Sequence, residues 1–348
     1  MNKIINILFS IVIFLQSCTN KEILSQPITI KLEELHYNIN KDYLAKIEGI
    51  QCNDSSLIAF DFHSGESYTL FDLQTCKLIG RFGEIGDGPG EIPLGCFGNL
   101  INNEFYIHYL STGLIAKYDM DSITNNINYK PIKLTRYDFP FSLIHFSKVI
   151  PLNDSIYFGA GLYSNKYQYT LFDKKNKVID YNIDVYNANN KEFNVYHKMI
   201  SNEGTLRKHP TLNKFVYFIN RSSNIDFIEI IDNKIIPIKL KRDKNPESKP
   251  IINGSIVRVQ PELHCEIGYI DLAVGVNNIY ALYTDKDITN PYCSKIIRVF
   301  DWNGNFIKQY ELNKNAYYIT VNEKKNIIYT AFRDEDEGWD ITSYKIKE

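Results

Sequence analysis

The segment Gly83–Ile92 holds four glycines and one proline in ten residues, a density typical of loops that bind phosphate through their backbone amides. A dinucleotide-binding loop needs a strand before it and a helix after it. Here Pro93 follows, with no helical pattern, and the Gly-Lys-Ser/Thr sequence of a Walker loop is absent. The sequence therefore predicts a tight turn, in which Gly86, Gly88 and Gly90 serve the backbone rather than a reaction.

Three aspartates near the end of the chain, Asp334, Asp336 and Asp340, offer the hard oxygen atoms that calcium prefers. Their segment, "RDEDEGWD", lacks the D-x-D-x-D-G spacing and the glutamate at position twelve of a calcium-binding hand. A solvated hairpin turn is the simpler interpretation. We therefore predict no cofactor, and calcium at these residues is the alternative.

No residue pattern typical of catalysis is present. The seven histidines form neither HxH nor HExxH, and no G-x-S-x-G nucleophile elbow occurs. Carboxylates are plentiful, but the sequence does not show which of them meet in the fold. We therefore assign no catalytic residue from the sequence.

The start of the chain has the pattern of an export signal. Lys3 provides a short positive region, and Ile4 to Leu15 is an apolar run that is too short for a bilayer span of about 20 residues. The sequence "LQSC" then ends at Cys18 and resembles a bacterial lipobox. We therefore expect a lipoprotein signal peptide over residues 1–17 and a lipidated N-terminus with a linker over 18–27. An ordinary cleaved signal peptide is the alternative.

The elements after this signal repeat along the chain. Each copy has an apolar strand ending near Phe-Asp, Tyr-Asp or Ile-Asp, then a polar turn, then a second apolar strand, which is the pattern of an antiparallel hairpin. Five copies occur, at residues 67–83, 114–129, 168–183, 225–240 and 296–312.

A further pair of strands with an Asn/Asp-rich turn precedes each hairpin. These pairs lie at residues 49–62, 97–110, 147–161, 208–220 and 269–284. A sixth unit, residues 317–346, has the same order of parts. Each unit takes about 53 residues, near the length of propeller repeats, and a four-stranded sheet buries both of its faces by radial stacking. The sequence therefore predicts an all-β, six-bladed β-propeller over residues 28–348, with a strand near 28–36 closing the last blade.

The stretch "GRFGEIGDGPGEI", residues 80–92, resembles the G-x-G-x-GPGE-(F/I) signature of six-bladed propeller lipoproteins of Gram-negative bacteria, which are TolB-like or NHL-like. The repeats extend this resemblance over nearly the whole mature chain. It implies a propeller that is lipid-anchored in the cell envelope, at the outer membrane. It implies no particular reaction.

These observations favour a lipid-anchored propeller that binds a protein, peptide or glycan on its loop-bearing face without catalysis. A calcium-type, metal-dependent hydrolase or lactonase with its site in the central channel is the alternative. A net charge of −2 gives no electrostatic basis for binding nucleic acid. The candidate polar anchors for a ligand are Arg136, His145, Arg207 and Arg333.

Cysteines after the signal number five, so at least one thiol has no intramolecular partner. Export permits disulfides, and the conceivable pairs are Cys52–Cys76 and Cys265–Cys293. Buried thiols that act as small apolar groups are the alternative. The five residues are Cys52, Cys76, Cys96, Cys265 and Cys293.

We predict that Cys18 becomes the lipidated N-terminal residue, so a Cys18→Ser variant should be recovered in the soluble envelope fraction while the parent stays with membranes. Two or more acyl chains are needed for stable anchoring, because a single chain holds only marginally. Mass spectrometry of the mature N-terminus checks the modification. A parent protein that begins at another residue and carries no lipid would contradict the prediction.

Overall fold

The computed structural model describes residues 28–35, 39, 43–63, 65–86, 88, 90–93, 98–109, 112–140, 143–185, 195–243, 246, 248–253, 256–334 and 338–347. Within these residues the chain forms 27 β-strands and two short α-helices. Cys18, Cys96 and Asp336 lie outside the described residues, as does the whole of the predicted signal and linker.

The chain begins with two short strands, β1 (Thr29–Lys31) and β2 (Glu33–Leu35), and then enters three four-stranded sheets. Blade one comprises β3 (Ile47–Cys52), β4 (Ser56–His63), β5 (Glu66–Asp72) and β6 (Leu78–Glu84). Blade two comprises β7 (Gly98–Ile101), β8 (Glu104–Tyr109), β9 (Leu114–Asp119) and β10 (Ile132–Arg136). Blade three comprises β11 (Ile144–Pro151), β12 (Ile156–Tyr163), β13 (Tyr167–Asp173) and β14 (Val178–Asp184).

The second half of the chain adds three more sheets and one separate hairpin. Blade four comprises β15 (Gly204–Lys208), β16 (Lys214–Ile219), β17 (Ile225–Ile231) and β18 (Lys234–Lys241). The hairpin consists of β19 (Ser248–Asn253) and β20 (Ile256–Pro261). Blade five comprises β21 (Glu266–Val274), β22 (Asn278–Asp287), β23 (Ser294–Asp301) and β24 (Phe306–Ala316). Blade six comprises β25 (Tyr318–Asn322), β26 (Ile327–Asp334) and β27 (Gly338–Lys345), with β2 as its fourth strand.

First strands of neighbouring blades contact one another at β25–β3, β3–β7, β11–β15, β15–β21 and β21–β25, and β11 contacts β8 of blade two, so the first strands surround a central channel. In a propeller these strands run in the same direction, so their C-terminal ends lie at the same face. The expectation of a six-bladed, all-β propeller is confirmed, and the six units predicted from the sequence correspond to the six blades.

Two short helices lie in connections: α1 (Met120–Asn125) and α2 (Val195–Ser201). The hairpin predicted over residues 114–129 is wrong in its second half, because α1 follows β9 and the fourth strand of blade two is β10. No helix in the described part of the chain has the length and apolar character that crossing a bilayer requires.

The core lies between the blades rather than within one layer. In β4, Leu57 and Ala59 pack toward blade six, whereas Ile58 and Phe60 pack toward blade two. Side chains alternate between the two faces of a strand, so a middle strand that is apolar at every position is buried on both sides. This explains the continuous apolar runs of the sequence, and each of the six blade interfaces has its own buried cluster.

A buried ion pair fastens blade three to blade four. Arg242, which follows β18, directs its Nε to Asp226 Oδ1 at 3.0 Å and its Nη1 to the Asp184 carbonyl oxygen at 2.7 Å. Tyr169 of blade three donates its hydroxyl to Asp226 Oδ2 at 2.6 Å. Because all of the charge on this carboxylate is matched by donors, its burial is compensated.

The N-terminal segment closes the ring, as expected for residues 28–36. Strand β2 pairs antiparallel with β27 and completes blade six. Strand β1 adds a contact that the sequence did not suggest, because it pairs in parallel with β24 of blade five. Between them Leu32 is buried, and Glu34 Oε1 accepts hydrogen bonds from Lys314 Nζ at 2.7 Å and from Thr342 Oγ1 at 3.0 Å.

Deleting residues 28–35 should therefore lower the melting temperature by several degrees. The deletion exposes the edge of β27 and removes the burial of Leu32, and burying one leucine side chain is worth about 1.5–3 kcal/mol. Thermal unfolding of a chain starting at residue 36 checks this, with a chain starting at residue 28 as the control. Equal melting temperatures for the two chains would show that these strands do not close the ring.

Candidate functional site

The central channel is crossed by the side chain of Arg207, which projects from β15 of blade four. Its Nη1 donates to Asn99 Oδ1 of blade two at 3.2 Å, and its Nε donates to the Leu272 carbonyl oxygen of blade five at 3.2 Å. Blades two and five face each other across a six-bladed ring. A guanidinium that contacts both must lie close to the axis, so it spans the channel at this level.

Asp271 of β21 provides the negative charge beside this guanidinium, with its Oδ1 at 3.5 Å from Arg207 Nη2. Its Oδ2 accepts a hydrogen bond from the backbone N–H of Ile319 in blade six at 2.9 Å. Burial raises the pKa of the Asp271 carboxyl to about 6, and the neighbouring Arg207 acts in the opposite direction. The arrangement joins blades two, four, five and six through two charged side chains.

Gln51 makes the corresponding link between blades one and two. Its Nε2 donates to the Gly98 carbonyl oxygen at 2.7 Å, and its Oε1 accepts from the Leu100 N–H at 2.6 Å. A buried amide that uses both its donor and its acceptor fixes the position of β3 against β7. Bonded polar side chains thus link the blades along the channel, from residues near the C-terminal ends of the first strands.

Beyond these strand ends lie the turns that join the first and second strands of each blade, which we call the rim turns. They are residues 53–55, 102–103, 152–155, 209–213, 275–277 and 323–326. Asn322 Nδ2 donates to the Asn53 carbonyl oxygen at 3.1 Å, and Asn53 Nδ2 donates to Asn103 Oδ1 at 3.2 Å. These two bonds join blades six, one and two.

The belt continues past blade three. Asn102 Nδ2 donates to the Pro210 carbonyl oxygen at 2.9 Å and so links blade two directly to blade four. Ring nitrogen Nε2 of His209 lies 3.0 Å from the Val276 carbonyl oxygen of blade five. Blade six completes the circuit, because Glu323 accepts from the backbone N–H groups of residues 277 and 278 at 2.9 and 3.0 Å. Five rim turns therefore form a closed, hydrogen-bonded belt.

The belt surrounds a pocket of about 610 Å³ at the mouth of the channel. This volume falls in the range of small-molecule and peptide-end sites. Leu100, Val274 and Val321, from three first strands, give its inner part an apolar character. The rim turns of blades one, two, four, five and six supply most of the remaining wall, which is rich in asparagine amides, and Asp121 of α1 and the strand ends at Cys52, Lys208 and Asn322 complete it.

Two lysines line this pocket, and one is exposed whereas the other is buried. Lys324 is exposed and forms an ion pair with Asp54. Lys208, the last residue of β15, is only 9% exposed, and its Nζ lies 3.4 Å from the His209 carbonyl oxygen. Burial lowers the pKa of the Lys208 ammonium from its usual value.

The four anchors expected on the loop-bearing face fall into two places. Arg136 at the end of β10, His145 at the start of β11 and Arg333 near the end of β26 lie on the face opposite the rim turns, in blades two, three and six. Arg136 Nε donates to the Thr112 carbonyl oxygen at 3.0 Å within its own blade. Arg207 is instead inside the channel, so the structure does not gather these four residues into one site.

The acidic turn of blade six is the other sequence candidate. Asp334 pairs with Gly338 across the β26–β27 hairpin, and Asp340 Oδ1 accepts from the Ile341 N–H at 2.7 Å. Trp339 packs against the rings of Tyr317 and Tyr318. In the residues the structure describes, no group of three or more His, Cys, Asp or Glu side chains is arranged to hold a metal. The prediction of no cofactor, with calcium at this turn as its alternative, stays a prediction.

The glycine-rich segment turns back on itself, as expected. Gly88 N–H donates to Glu91 Oε2 at 2.7 Å, and a Cβ at Gly86 or Gly88 would meet that carboxylate within 1.9 or 2.8 Å. Gly90 has φ +81°, which favours glycine. The backbone donor that a phosphate would need here is therefore taken by the chain's own carboxylate.

No disulfide joins the cysteines in the described part of the chain, so neither conceivable pair is bonded there. The thiol of Cys52 lies in the pocket wall and accepts from Thr320 Oγ1 at 3.4 Å. Burial raises the pKa of this thiol to about 12. Cys52 is therefore a neutral, weakly polar part of the wall rather than a reactive thiolate.

Sequence reasoning missed the pocket and Lys208. The Asn/Asp-rich turns that precede each hairpin were recognised as turns, and their repetition in register was the one signal that they share a face. Which asparagine reaches which neighbour depends on the spacing of blades, and no local pattern encodes it. Lys208 lies in "LRKHP" and has no feature in the sequence that marks it as buried.

Six four-stranded blades around a channel spanned by polar side chains define a six-bladed β-propeller protein with a pocket at one end. The chain belongs to the TolB-like 6-blade propeller-like family, whose model matches residues 35–324. This confirms the family that the glycine-rich signature and the repeats suggested.

Solved structures share this fold at low sequence identity. A putative exported protein from Bacteroides fragilis is 13% identical, with a TM-score of 0.50 over 92% of this chain and 99% of its own. A member of the DUF4221 family from Bacteroides vulgatus is 11% identical, with a TM-score of 0.53 over 91% of this chain and 99% of its own. At such identities the likeness shows the fold alone. No curated protein matches the chain.

Because His209 contributes to the belt as a neutral ring, we predict that the protein loses stability on acidification. Nδ1 of this ring accepts from the N–H groups of Thr211 and Leu212 at 3.0 Å each, so Nε2 carries the proton and the ring is neutral. Burial lowers the pKa of His209 below its usual 6.5. The unfolded chain therefore binds the proton first as the pH falls. The stability from the neutral ring is present above about pH 6.5 and is lost below it, by up to about 1.4 kcal/mol per pH unit.

Urea unfolding between pH 7.5 and 5 checks this with the parent and with His209→Gln, which does not titrate. The variant should be less stable at pH 7.5 and should lose less stability on acidification. Other buried histidines, such as His108, titrate in both proteins, so the difference between the two slopes isolates His209. Identical slopes would contradict the prediction.

Proposed function

We propose that this chain is a lipid-anchored binding or scaffold protein of the cell envelope, which holds a protein, peptide or glycan without catalysing a reaction. The observation that carries the proposal is the pocket inside the belt of rim turns. Convergent polar groups around a partly apolar, preformed cavity are the usual form of a binding site. The fold by itself supports no reaction.

The hydrogen bonds of the belt favour a rigid, preformed binding site. They run from one blade to another, so the pocket wall is fixed by the same contacts that hold the ring. Preformed walls reduce the entropy lost when a ligand binds. The amide oxygen of Asn102 and the amide nitrogen of Asn103 are not used by the belt, and such groups can bond donors and acceptors of a ligand, which suits the backbone of a peptide or the hydroxyls of a glycan.

The lipid on Cys18 would provide the partner that the sequence predicts for the N-terminus, a membrane, most simply the outer membrane. Ten residues separate this cysteine from the first described strand, and an extended chain of that length reaches about 30 Å. The ring would therefore stay close to the membrane surface. The description of the Bacteroides fragilis protein of similar fold as exported supports this location.

Binding in the pocket is tested with the soluble body, residues 19–348, and a library of envelope peptides and glycans. A Val276→Trp variant should lose the bound ligand, because Val276 lines the pocket and is 50% exposed, so a larger ring fits there without disturbing the core. Arg136→Trp is the matched control on the opposite face and should bind as the parent does. Direct binding by calorimetry, with mass spectrometry of the mixture, gives both readouts.

Three outcomes would overturn the proposal. Loss of binding in Arg136→Trp but not in Val276→Trp would show that the ligand binds on the face opposite the rim turns, where Arg136, His145 and Arg333 lie. Product formed only with calcium would favour the hydrolase or lactonase alternative. Capture of neither peptide nor glycan by the parent would remove the binding role.

A further inference from the structure

Lys208 carries a positive charge into the wall of the rim pocket without an acidic partner. Its Nζ has three donor hydrogens, and among the described residues it reaches one protein acceptor, the His209 carbonyl oxygen, at the long distance of 3.4 Å. The side chain lines the pocket although it is nine-tenths buried. A buried ammonium with unmatched donors is costly unless an anion or water completes its bonding.

Of the other charged groups in the lining, Asp121 of α1 is an exposed carboxylate, and the remaining three are bonded. Lys324 is paired with Asp54, and both oxygens of Glu323 accept backbone N–H groups of blade five. Burial lowers the pKa of Lys208, and no carboxylate among the described residues lies close enough to raise it again. The missing negative charge is therefore local, because Lys208 is the lysine of this lining that has no carboxylate partner among the described residues.

The shape of the site restricts how an anion can arrive. Arg207 spans the channel beneath the pocket through its contacts with blades two and five. A side chain across the axis hinders a chain from passing through, which favours entry by a chain end. Leu100, Val274 and Val321 line the same pocket, and Val274 lies on β21, which contacts the strand that carries Lys208. The end that enters should therefore combine a negative charge with an apolar group.

We propose that the rim pocket binds the C-terminal end of a peptide, with the terminal carboxylate on Lys208 Nζ and an apolar last side chain against Leu100, Val274 and Val321. Asparagine amides of the rim turns are placed to bond the preceding peptide groups. This inference rests on the proposed binding function and specifies its ligand.

The direct test uses the unmodified body, residues 19–348, and two peptides that differ in one group. Acetyl-Ala-Ala-Val with a free carboxylate should bind at least about ten-fold more tightly than the same peptide with a C-terminal amide, because a charged hydrogen bond is worth about 1.5–3 kcal/mol. Its affinity should also fall as salt is raised. Isothermal calorimetry at pH 7.5 measures both peptides.

Lys208→Met tests the assigned cation, since methionine keeps the unbranched stem and removes the charge. This variant should bind the acid and the amide with equal, weak affinity. Its melting temperature should match or exceed that of the parent, because an uncompensated buried charge has been removed. Lys214→Met, a lysine of the next strand outside the pocket, is the control and should keep the preference for the acid.

The outcomes separate this inference from the wider proposal. Equal binding of acid and amide by the parent, or an acid preference retained in Lys208→Met, would overturn it. So would binding of acetate or inorganic phosphate without binding of the peptide acid. If no peptide binds while an envelope glycan is captured and lost in Val276→Trp, the inference fails and the binding function stands. If nothing is captured, both fail.

Discussion

Each blade of this protein has two apolar faces, and neither can be left in water. In β4 alone, neighbouring residues such as Leu57 and Ile58 pack into different blade interfaces. Every sheet therefore needs a neighbour on both sides, and a row of such sheets satisfies this only when it returns to its start. The radial arrangement, the central channel and the common face of the six rim turns all follow from that requirement.

Closing the ring brings polar groups to the axis, where space is too narrow for bulk water. Arg207 and Asp271 meet this condition together, since each bonds to blades other than its own. The result is a channel that is spanned by Arg207 at its middle and opens into the pocket at the rim. The belt of rim turns fixes the outline of this pocket.

Most of the fold was accessible from the sequence because it depends on local patterns that repeat. Apolar runs, Asp-led turns and a C-terminal sixth unit were enough for the blade number, and the N-terminal closure followed from counting strands. The pairing of β1 with blade five was not accessible, because a three-residue strand has no periodicity to detect. The site was less accessible still. The sequence predicts Arg207 as an anchor for a ligand, whereas in the structure its side chain crosses the channel between blades two and five. The prediction is wrong because residues distant in sequence decide whether a charge is buried. Lys208 was missed for the same reason.

The contacts between Glu34 and Thr342 join positions 308 residues apart. They connect the beginning of the folded body to its end, so during synthesis the first blade-closing strand is made long before its partner exists. The last blade can acquire its fourth strand only after the β26–β27 hairpin has been synthesised. Until then, one sheet edge and one apolar face remain open to other chains. Such a protein depends on rapid closure of the ring once its last blade has been made. A truncation that removes β27 leaves the whole ring open, because β2 then has no strand to pair with.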